Sequence, residues 1–318
     1  MTKAPLLKQG QILANTIRVD SPVGAGGFAL IYTGFRLDDQ AAVIIKALRA
    51  DAEDVDPVAV KRFIREAAVA AQLEHPNIVR TLSFGQTRDN VLYIVLERLN
   101  GQTLANAMFE EPVEPELVHE LLRQMLSALS YAHSHGIVHR DIKPSNLFVC
   151  APGHRGSTGE LEEDTVKLLD FGFVKVLKMQ EKPGAQRSGF YEPLTKVGQA
   201  VGTPGYMAPE VLRGQEATHL VDLYAVGVLA YELLTGKAAF DGVGLERAMN
   251  QMSSKPTPPP LELAKLPLFA IVWKLIEANP KKRYQSAADA LADLARIDDV
   301  PAPEKKGRGW LGFIRGGK

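Results

Sequence analysis

The segment HRDIKPSN, residues 139–146, combines an imidazole, a guanidinium, a carboxylate, an ammonium and an amide within eight residues. Ordinary solvated loops favour Gly, Ser, Pro and Asn, and they do not need this variety of charged and proton-transferring groups. We therefore treat the segment as a candidate for chemistry, whose role depends on what the rest of the chain offers.

A second candidate is the stretch VGAGGFALIYTG, residues 23–34, in which Gly24, Gly26 and Gly27 lie between two strand-like runs. Glycines let the backbone approach a phosphate and present N–H groups to it, although a plain hairpin turn has the same composition. A dinucleotide-binding loop is disfavoured, because it needs a helix directly after the glycines and an acid about twenty residues later. Another strand follows here instead, which fits either a flap over a nucleotide or a plain turn.

Lys46 ends the apolar run at residues 43–45, an unusual place for a charge unless an anion or a carboxylate meets it. Glu66 is the candidate partner, because it flanks the apolar face of a helix predicted to begin near Asp56. Two alternatives remain open: Lys46 reaches water at the strand end, and Glu66 forms a solvated pair with Arg62.

Two oxygen-bearing side chains lie at the ends of predicted strands. Asn146 precedes the apolar run 147–149, and Asp170 follows the run 166–169. If these runs pair as a hairpin, both side chains lie at the same end of it. Hard oxygen ligands together with phosphate oxygens suit Mg²⁺ better than a transition metal. A magnesium site and a plain pair of strand ends both fit the sequence.

These candidates lie in two regions of different predicted secondary structure. Short β-prone runs at 17–19, 29–33, 42–45 and 91–96 alternate with Gly or Asp turns. Beyond residue 99 long helices dominate, and the patterns at 117–135 and 222–234 predict buried helices. We expect an α+β protein with an N-terminal extension (1–16), a small β-rich lobe (17–99), a larger helical lobe (100–298) and a basic tail (299–318).

The composition excludes several classes of protein. The 37 Lys and Arg balance 37 Asp and Glu, so the overall charge does not indicate a nucleic acid partner. Cys150 is the only cysteine, which rules out an intramolecular disulfide and a zinc site of several thiolates, and fits a reducing compartment. Neither a signal peptide nor a membrane-spanning stretch is recognisable, so a cytoplasmic location is expected.

Three segments are rich in Gly and charge. Residues 151–164 and 178–193 are predicted to be insertions without a fold of their own. In the tail, Trp310 and Phe313 among basic residues could contact an anionic membrane surface, but the many glycines oppose a stable helix and favour disorder.

Five motifs occur in the order of the protein-kinase motif set: the glycine-rich stretch, VIIK, HRDIKPSN, DFG at 170–172 and APE at 208–210. Over residues 17–298 the chain therefore resembles the eukaryotic-like Ser/Thr protein kinases of bacteria. The resemblance implies a bilobal kinase fold, with one helix beside the antiparallel sheet of the small lobe.

The resemblance implies catalytic roles for four residues. Asp141 would accept or orient the proton of the substrate hydroxyl, and Lys143 would neutralise charge on the transferring phosphoryl group. Lys46, held by Glu66, would contact the α- and β-phosphates of ATP.

The resemblance also implies a binding site for the cofactors ATP and Mg²⁺, with Mn²⁺ as an alternative metal. Asn146 and Asp170 match the metal ligands, and Leu96 occupies the gatekeeper position. The implied nucleotide-binding residues are Gly24, Gly26, Gly27, Ile31, Ile44, Lys46, Glu97, Leu99 and Phe148.

Three residues match regulatory positions of the family. Arg140 would bind a phosphate on the activation segment, for which Thr195 is the best-placed acceptor. Thr203 would have a structural role beside Asp141.

Two further residues match structural positions. Asp222 matches the aspartate that braces the catalytic loop, although its place at a helix start also fits an N-cap. Arg283 would pair with Glu210.

Substrate class follows from Lys143 and from the segment GTPGYMAPE around Thr203, which resemble the Ser/Thr pattern. Small-molecule phosphotransferases share the catalytic loop but lack the peptide-docking segment, so protein substrates are expected, with autophosphorylation of the activation segment. The sequence leaves open whether this occurs in trans through self-association. The alternative is a nucleotide-binding pseudokinase that acts as a scaffold or switch. This alternative is motivated by Ile44 in place of a small alanine above adenine, by Ala29 in place of the third loop glycine, and by the two insertions.

Overall fold

The structure is a computed structural model and describes residues 6–25, 29–49, 67–68, 71–107, 112–151, 154–155, 161–162, 165–170, 204–253 and 255–297. The chain divides into two compact units. The first contains Met1–Asn100, and the second contains most of the chain from residue 101 onward.

The first unit contains a six-stranded antiparallel sheet with the strand order β1-β2-β3-β4-β6-β5. Its strands are β1 (Ile12–Leu13), β2 (Ile17–Ala25), β3 (Leu30–Arg36), β4 (Ala42–Arg49), β5 (Thr81–Gln86) and β6 (Val91–Glu97). The four strands predicted in this region are confirmed and are longer than their apolar runs. Strand β5 was not predicted, because its sequence TLSFGQ mixes small and polar residues.

Alternation along β4 separates the two faces of this sheet. Val43 and Ile45 are fully buried on one face, where Leu7 and Leu13 complete the apolar cluster. The hydroxyl of Tyr32 accepts hydrogen bonds from the backbone N–H groups that precede β1, at 2.8 and 3.2 Å. The residues before Ile17, expected to form an extension, therefore contribute a strand and core side chains to the unit.

The second unit is mainly helical. Its described helices are α1 (Leu104–Ala107), α2 (Pro115–Ser134), α3 (Pro209–Leu212), α4 (Leu220–Thr235), α5 (Leu245–Ser253), α6 (Leu261–Ala264), α7 (Pro267–Leu275) and α8 (Ala287–Leu294). The predicted helices at 117–135 and 222–234 are confirmed as α2 and α4. Every residue of α4 from Val221 to Thr235 is buried, as its apolar pattern on all sides requires. Among the described helices none is long and apolar enough to cross a membrane.

A small three-stranded sheet accompanies these helices, in the order β11-β8-β7. Its strands are β7 (Gly101–Thr103), β8 (Leu147–Cys150) and β11 (Val166–Leu168). Antiparallel pairing of β8 with β11 confirms the predicted hairpin.

The insertion between β8 and β11 has some structure of its own. Strand β9 (His154–Arg155) pairs with β10 (Leu161–Glu162). The expectation that residues 151–164 lack a fold is therefore wrong for these four residues, because they form a short antiparallel strand pair within the insertion. The second predicted insertion, 178–193, and the tail lie outside the described residues.

Candidate active site

The segment 139–146 brings three polar side chains of the second unit together. The Asp141 carboxylate lies 3.1 Å from the ammonium of Lys143 and accepts a 3.0 Å hydrogen bond from Nδ2 of Asn146. The same Nδ2 donates to the Asp141 carbonyl at 2.7 Å. Two contacts therefore fix the direction of the Asp141 carboxylate.

Asp222, the third residue of α4, holds the backbone of this loop. It accepts hydrogen bonds from the backbone N–H groups of His139 at 2.8 Å and Arg140 at 2.7 Å, and its Oδ2 lies 2.9 Å from Nε2 of His133 on α2. Burial by itself would raise the pKa of Asp222, but the hydrogen bond and charge of His133, with smaller contributions from His139, bring that pKa below its usual value. Because the N-cap of α4 is His219, the plain N-cap interpretation of Asp222 is wrong.

His139 is fully buried and links the loop to the end of β11. Burial lowers the pKa of His139, which keeps its imidazole neutral. Nε2 of His139 donates to the carbonyl of Leu169 at 2.7 Å, and the backbone N–H of Asp141 donates to Nδ1 at 3.2 Å. These two contacts assign the proton of the neutral ring to Nε2 and connect Asp141 to the residue before Asp170.

Two residues of the site adopt left-handed backbone conformations, Arg140 with φ of 62° and Asp170 with φ of 55°. Residues with side chains rarely adopt this region, and such conformations persist where surrounding contacts enforce them. For Arg140, the hydrogen bond from its N–H to the Asp222 carboxylate enforces the conformation. For Asp170, the constraint comes from Leu169, the residue before it, whose N–H donates to the Asn146 carbonyl and whose carbonyl accepts from His139.

The pairing of β8 with β11 places Asn146 and Asp170 at the same end of the hairpin, where the N–H of Leu169 donates to the Asn146 carbonyl at 2.8 Å. Since Nδ2 of Asn146 is directed to Asp141, its Oδ1 is the amide atom suited to a cation. No group of three or more His, Cys, Asp or Glu able to hold a metal occurs within the described ranges. A donor set of one amide and one carboxylate fits Mg²⁺, which commonly takes few protein ligands together with phosphates and water.

Candidate nucleotide-binding residues of the first unit share one face of its sheet. Ile31 pairs with Lys46 across β3 and β4, and Ile44 pairs with Leu96 across β4 and β6. Along each strand these four residues alternate with the members of the apolar cluster that contains Leu7, Val43 and Ile45. They therefore lie on the opposite face of the sheet. Ile31, Ile44 and Lys46 are half-buried, so their side chains remain partly accessible.

The remaining described candidates lie at strand ends or in the second unit. Gly24 is an exposed residue near the end of β2. Glu97 ends β6, where its N–H donates to the Arg80 carbonyl at 3.0 Å and its carboxylate accepts from the Arg80 N–H at 2.9 Å. Leu99 follows, half-buried, and Phe148 pairs with Lys167 on β11.

Several predicted residues lie outside the described part of the chain: Gly26, Gly27, Glu66, Thr195 and Thr203. The predicted partnership of Glu66 with Lys46 and the activation-segment assignments therefore stay predictions. Ala29, which replaces the third loop glycine, is described and buried.

The predicted pair of Arg283 with Glu210 is confirmed. Two parallel contacts of 2.8 and 3.1 Å join the guanidinium to the carboxylate, and both residues are buried. Arg283 also donates to the carbonyls of Leu220 and Glu277. This fork anchors α3, and with it the end of the GTPGYMAPE segment, to α4.

Sequence reasoning missed the side chains that hold the middle of that segment. The Tyr206 hydroxyl donates to the Glu232 carboxylate of α4. Gln251 of α5 donates from Nε2 to the carbonyls of Gly205 at 2.8 Å and Met207 at 3.3 Å. The only available signal was a polar residue at a predicted core position, as at Glu232 in the apolar pattern of α4.

Comparisons with known proteins agree with this geometry. A family model of the protein kinase domain matches residues 17–293. Serine/threonine-protein kinase pkn3 of Myxococcus xanthus is 35% identical over 297 residues, which cover 91% of this chain and 51% of that protein. Serine/threonine-protein kinase PknB of Mycolicibacterium smegmatis is 32% identical, with 92% of this chain and 45% of that protein covered.

A solved structure is also similar. The crystal structure of Rad53 1-466 in complex with AMP-PNP has a TM-score of 0.64 and 26% sequence identity, covering 87% of this chain and 64% of that chain. The chain spans about half the length of the curated relatives it matches.

Proposed function

The chain belongs to the protein kinase domain family, and we propose that it is a serine/threonine protein kinase that transfers the γ-phosphate of ATP to hydroxyl groups of proteins. The observation that carries the proposal is the Asp141 carboxylate, held between Lys143 and Asn146 on a loop braced by Asp222. The matched bacterial relatives named as serine/threonine kinases support the acceptor class.

In the proposed reaction Asp141 orients the acceptor hydroxyl and takes its proton as the phosphoryl group departs from ADP. Such base catalysis contributes about 10²–10⁴-fold, and most of the remaining acceleration comes from positioning and charge stabilisation. Lys143, 3.1 Å from Asp141, offers its ammonium to the transferring phosphoryl group. Asn146 and Asp170 would hold Mg²⁺, with Mn²⁺ as an alternative, and the metal would neutralise phosphate charge.

The first unit supplies the proposed nucleotide contacts. Ile31 and Ile44 would contact the adenine ring, and Lys46 on the same sheet face would contact the α- and β-phosphates. The backbone at Glu97 and Leu99, where β6 ends, would hydrogen-bond the edge of the adenine. A similar structure carrying AMP-PNP supports ATP as the nucleotide.

The proposed regulatory residues are assigned from the same resemblance to the kinase family. Arg140 would bind a phosphate on Thr195, and Thr203 would support Asp141 structurally. Autophosphorylation of this segment would occur between self-associated copies in the cytoplasm, with protein substrates and no nucleic acid as partners. The proposed lobes are residues 17–99 and 100–298.

The test compares the wild type with Asp141→Asn, incubated with ATP and Mg²⁺ and mapped by intact-mass and site-mapping mass spectrometry. Phosphate on the activation segment of the wild type alone is expected, because the amide cannot take the proton. Asp38→Asn, an exposed acid of the first unit, is the matched control and should behave as the wild type. Equal phosphate on Asp141→Asn and the wild type would contradict the assignment of Asp141.

A nucleotide-binding pseudokinase is the second candidate, and Ile44 favours it. This β-branched side chain is half-buried and pairs with Leu96 on the proposed adenine-contacting face, where it would narrow the space for the ring. Under this alternative ATP raises the melting temperature, but neither the protein itself nor a generic acceptor gains phosphate.

A further inference from the structure

The stretch 204–207 of the proposed peptide-docking segment is held by side chains from other elements. Its own regular structure is one 3₁₀ turn, Pro204–Tyr206. The carbonyls of Gly205 and Met207 accept hydrogen bonds from Gln251, and the Tyr206 hydroxyl donates to a carboxylate of α4. The conformation of this stretch therefore depends on α4 and α5.

Gln251 is also one of the few anchors of α5. The buried residues of this helix are Ala248 and Gln251, and Gln251 is 1% exposed. A buried amide is costly unless it is hydrogen-bonded, and the two carbonyl contacts satisfy its Nε2. The outer face is open, with Leu245 48% and Met249 57% exposed. The buried polar contacts of α5 are thus made to the docking segment, and a further contact joins Arg213 Nη2 to the Met252 carbonyl at 2.6 Å.

The neighbouring turn of α5 covers the same stretch. A Cβ added to Gly205 would lie 3.3 Å from both Cδ and Nη1 of Arg247. Arg247 is itself oriented by a 2.9 Å hydrogen bond from its Nε to the Gly242 carbonyl. Arg247 therefore lies where a side chain of residue 205 would start, and Gln251 holds the carbonyl of Gly205.

We propose that Gln251 is a positioning residue for the protein acceptor: its amide fixes the carbonyls of Gly205 and Met207, and so sets the surface on which the peptide lies. The inference rests on the proposed kinase function. Gln251 acts through the docking segment and touches neither ATP nor the reacting hydroxyl. Its loss should weaken peptide use and leave nucleotide chemistry unchanged.

The test uses Gln251→Met, which keeps the volume and removes the donor, and Gln251→His, whose Nε2–H can donate from a similar position. Ser253→Ala is the matched control, because Ser253 lies on the same helix and bonds only within it, to the Met249 carbonyl. For Gln251→Met we expect kcat/KM for a peptide to fall about tenfold, mainly through KM, since two net hydrogen bonds are lost. ATP hydrolysis without peptide should be unchanged, and Gln251→His should recover most of the peptide activity.

Amide hydrogen exchange provides a readout that does not need activity. Exchange at residues 205–208 should accelerate in Gln251→Met and not in Ser253→Ala, at temperatures where melting curves show both variants folded. Unchanged exchange and unchanged peptide KM would overturn the inference, as would an equal fall of peptide transfer and ATP hydrolysis. If the wild type phosphorylates no protein, the kinase proposal fails, and the exchange result still decides whether Gln251 positions the segment.

Discussion

The carboxylate of Asp222 accepts a hydrogen bond from the backbone N–H of Arg140 at 2.7 Å, across 82 positions of sequence. Arg140 has a left-handed φ of 62°, which a residue with a long side chain adopts at a cost of about 1–2 kcal/mol. The buried helix α4 therefore enforces the conformation of the loop that carries Asp141. Catalytic geometry in this protein depends on a contact between the most buried helix and a strained loop.

The first prediction concerns this contact. Asp222→Asn should lower the free energy of unfolding by about 1–3 kcal/mol, because one carboxylate oxygen that accepts a backbone N–H is replaced by an amide donor. Phosphoryl transfer should fall by a larger factor than the stability change explains, because Asp141 loses its fixed direction. Urea denaturation and an initial-rate assay measure the two effects. Asp241→Asn, an exposed acid beyond α4, should change neither, and a fully active Asp222→Asn would rule out the bracing role.

The second prediction concerns the buried pair of Arg283 and Glu210. Arg283→Met should reduce the free energy of unfolding by about 3–5 kcal/mol, because it leaves the Glu210 carboxylate buried without its partner. Adding Glu210→Gln should restore part of the loss by removing the uncompensated charge. Denaturation curves of the single and double variants measure both steps.

An exposed pair of the same protein serves as the control for the second prediction. Lys265 lies 3.2 Å from Glu262, with both side chains more than half exposed. Lys265→Met should change the stability by less than about 1 kcal/mol, because solvent screens exposed ion pairs. Equal losses from Arg283→Met and Lys265→Met would show that the buried fork has no special stabilising role.

The catalytic loop, the β8–β11 hairpin and the two central helices were predictable because their signals are local. The motif HRDIKPSN is contiguous, and the all-round apolar pattern of α4 is visible in one window of sequence. The bracing role of Asp222 was also indicated, but the choice between a brace and an N-cap needed the structure, in which His219 is the N-cap and Asp222 accepts from the Arg140 N–H.

Other parts of the site and fold were not predictable, because their partners are distant in sequence. Gln251 contacts Gly205 across 46 positions, and nothing in the local pattern of α5 distinguishes its amide from a solvated one. Leu7 and Leu13 become core residues only because the sheet offers them an apolar face. Tertiary context of this kind cannot be read from the periodicity of a single segment.

The third prediction tests whether the residues before Ile17 belong to the fold. Leu13 on β1 is 2% exposed, whereas its neighbour Ile12 is 45% exposed. Leu13→Ala should cost about 2–5 kcal/mol, because it removes buried methyl groups and leaves a cavity. Ile12→Ala, on the same strand, should cost less than about 1 kcal/mol. Thermal and urea unfolding of the two variants decide the matter, and equal small losses would show that the N-terminal segment is a detachable extension.

The fourth prediction concerns nucleotide affinity. Ile44→Ala should tighten ATP binding by about 5- to 150-fold if the isoleucine crowds the adenine ring, since overpacking of a fitted space typically costs about 1–3 kcal/mol. Isothermal titration calorimetry of ATP with Mg²⁺ gives the dissociation constant directly. Leu37→Ala, an exposed apolar residue of the first unit that is 42% accessible, should leave affinity unchanged. Weaker or unaltered binding by Ile44→Ala would remove the main support for the pseudokinase alternative.

The fifth prediction follows from the environment of Glu232. Burial raises the pKa of Glu232, and the hydrogen bond from Tyr206 and the charge of Arg247 only partly oppose this. The folded state therefore keeps the proton to a higher pH than the unfolded state. The stabilising contribution is complete below the ordinary glutamate pKa and is lost as the pH rises through the folded value.

Glu232→Gln should not lose this stabilising contribution at higher pH, because its amide stays neutral and can still accept the hydrogen bond from the Tyr206 hydroxyl. The unfolding free energy of Glu232→Gln relative to the wild type should rise from about pH 4 upward and level off above the folded pKa. Urea denaturation across that pH range measures the difference. Glu262→Gln, an exposed glutamate on α6, should show no such trend. A pH-independent difference for Glu232→Gln would mean that Glu232 is already ionised at its ordinary pKa, held so by Arg247.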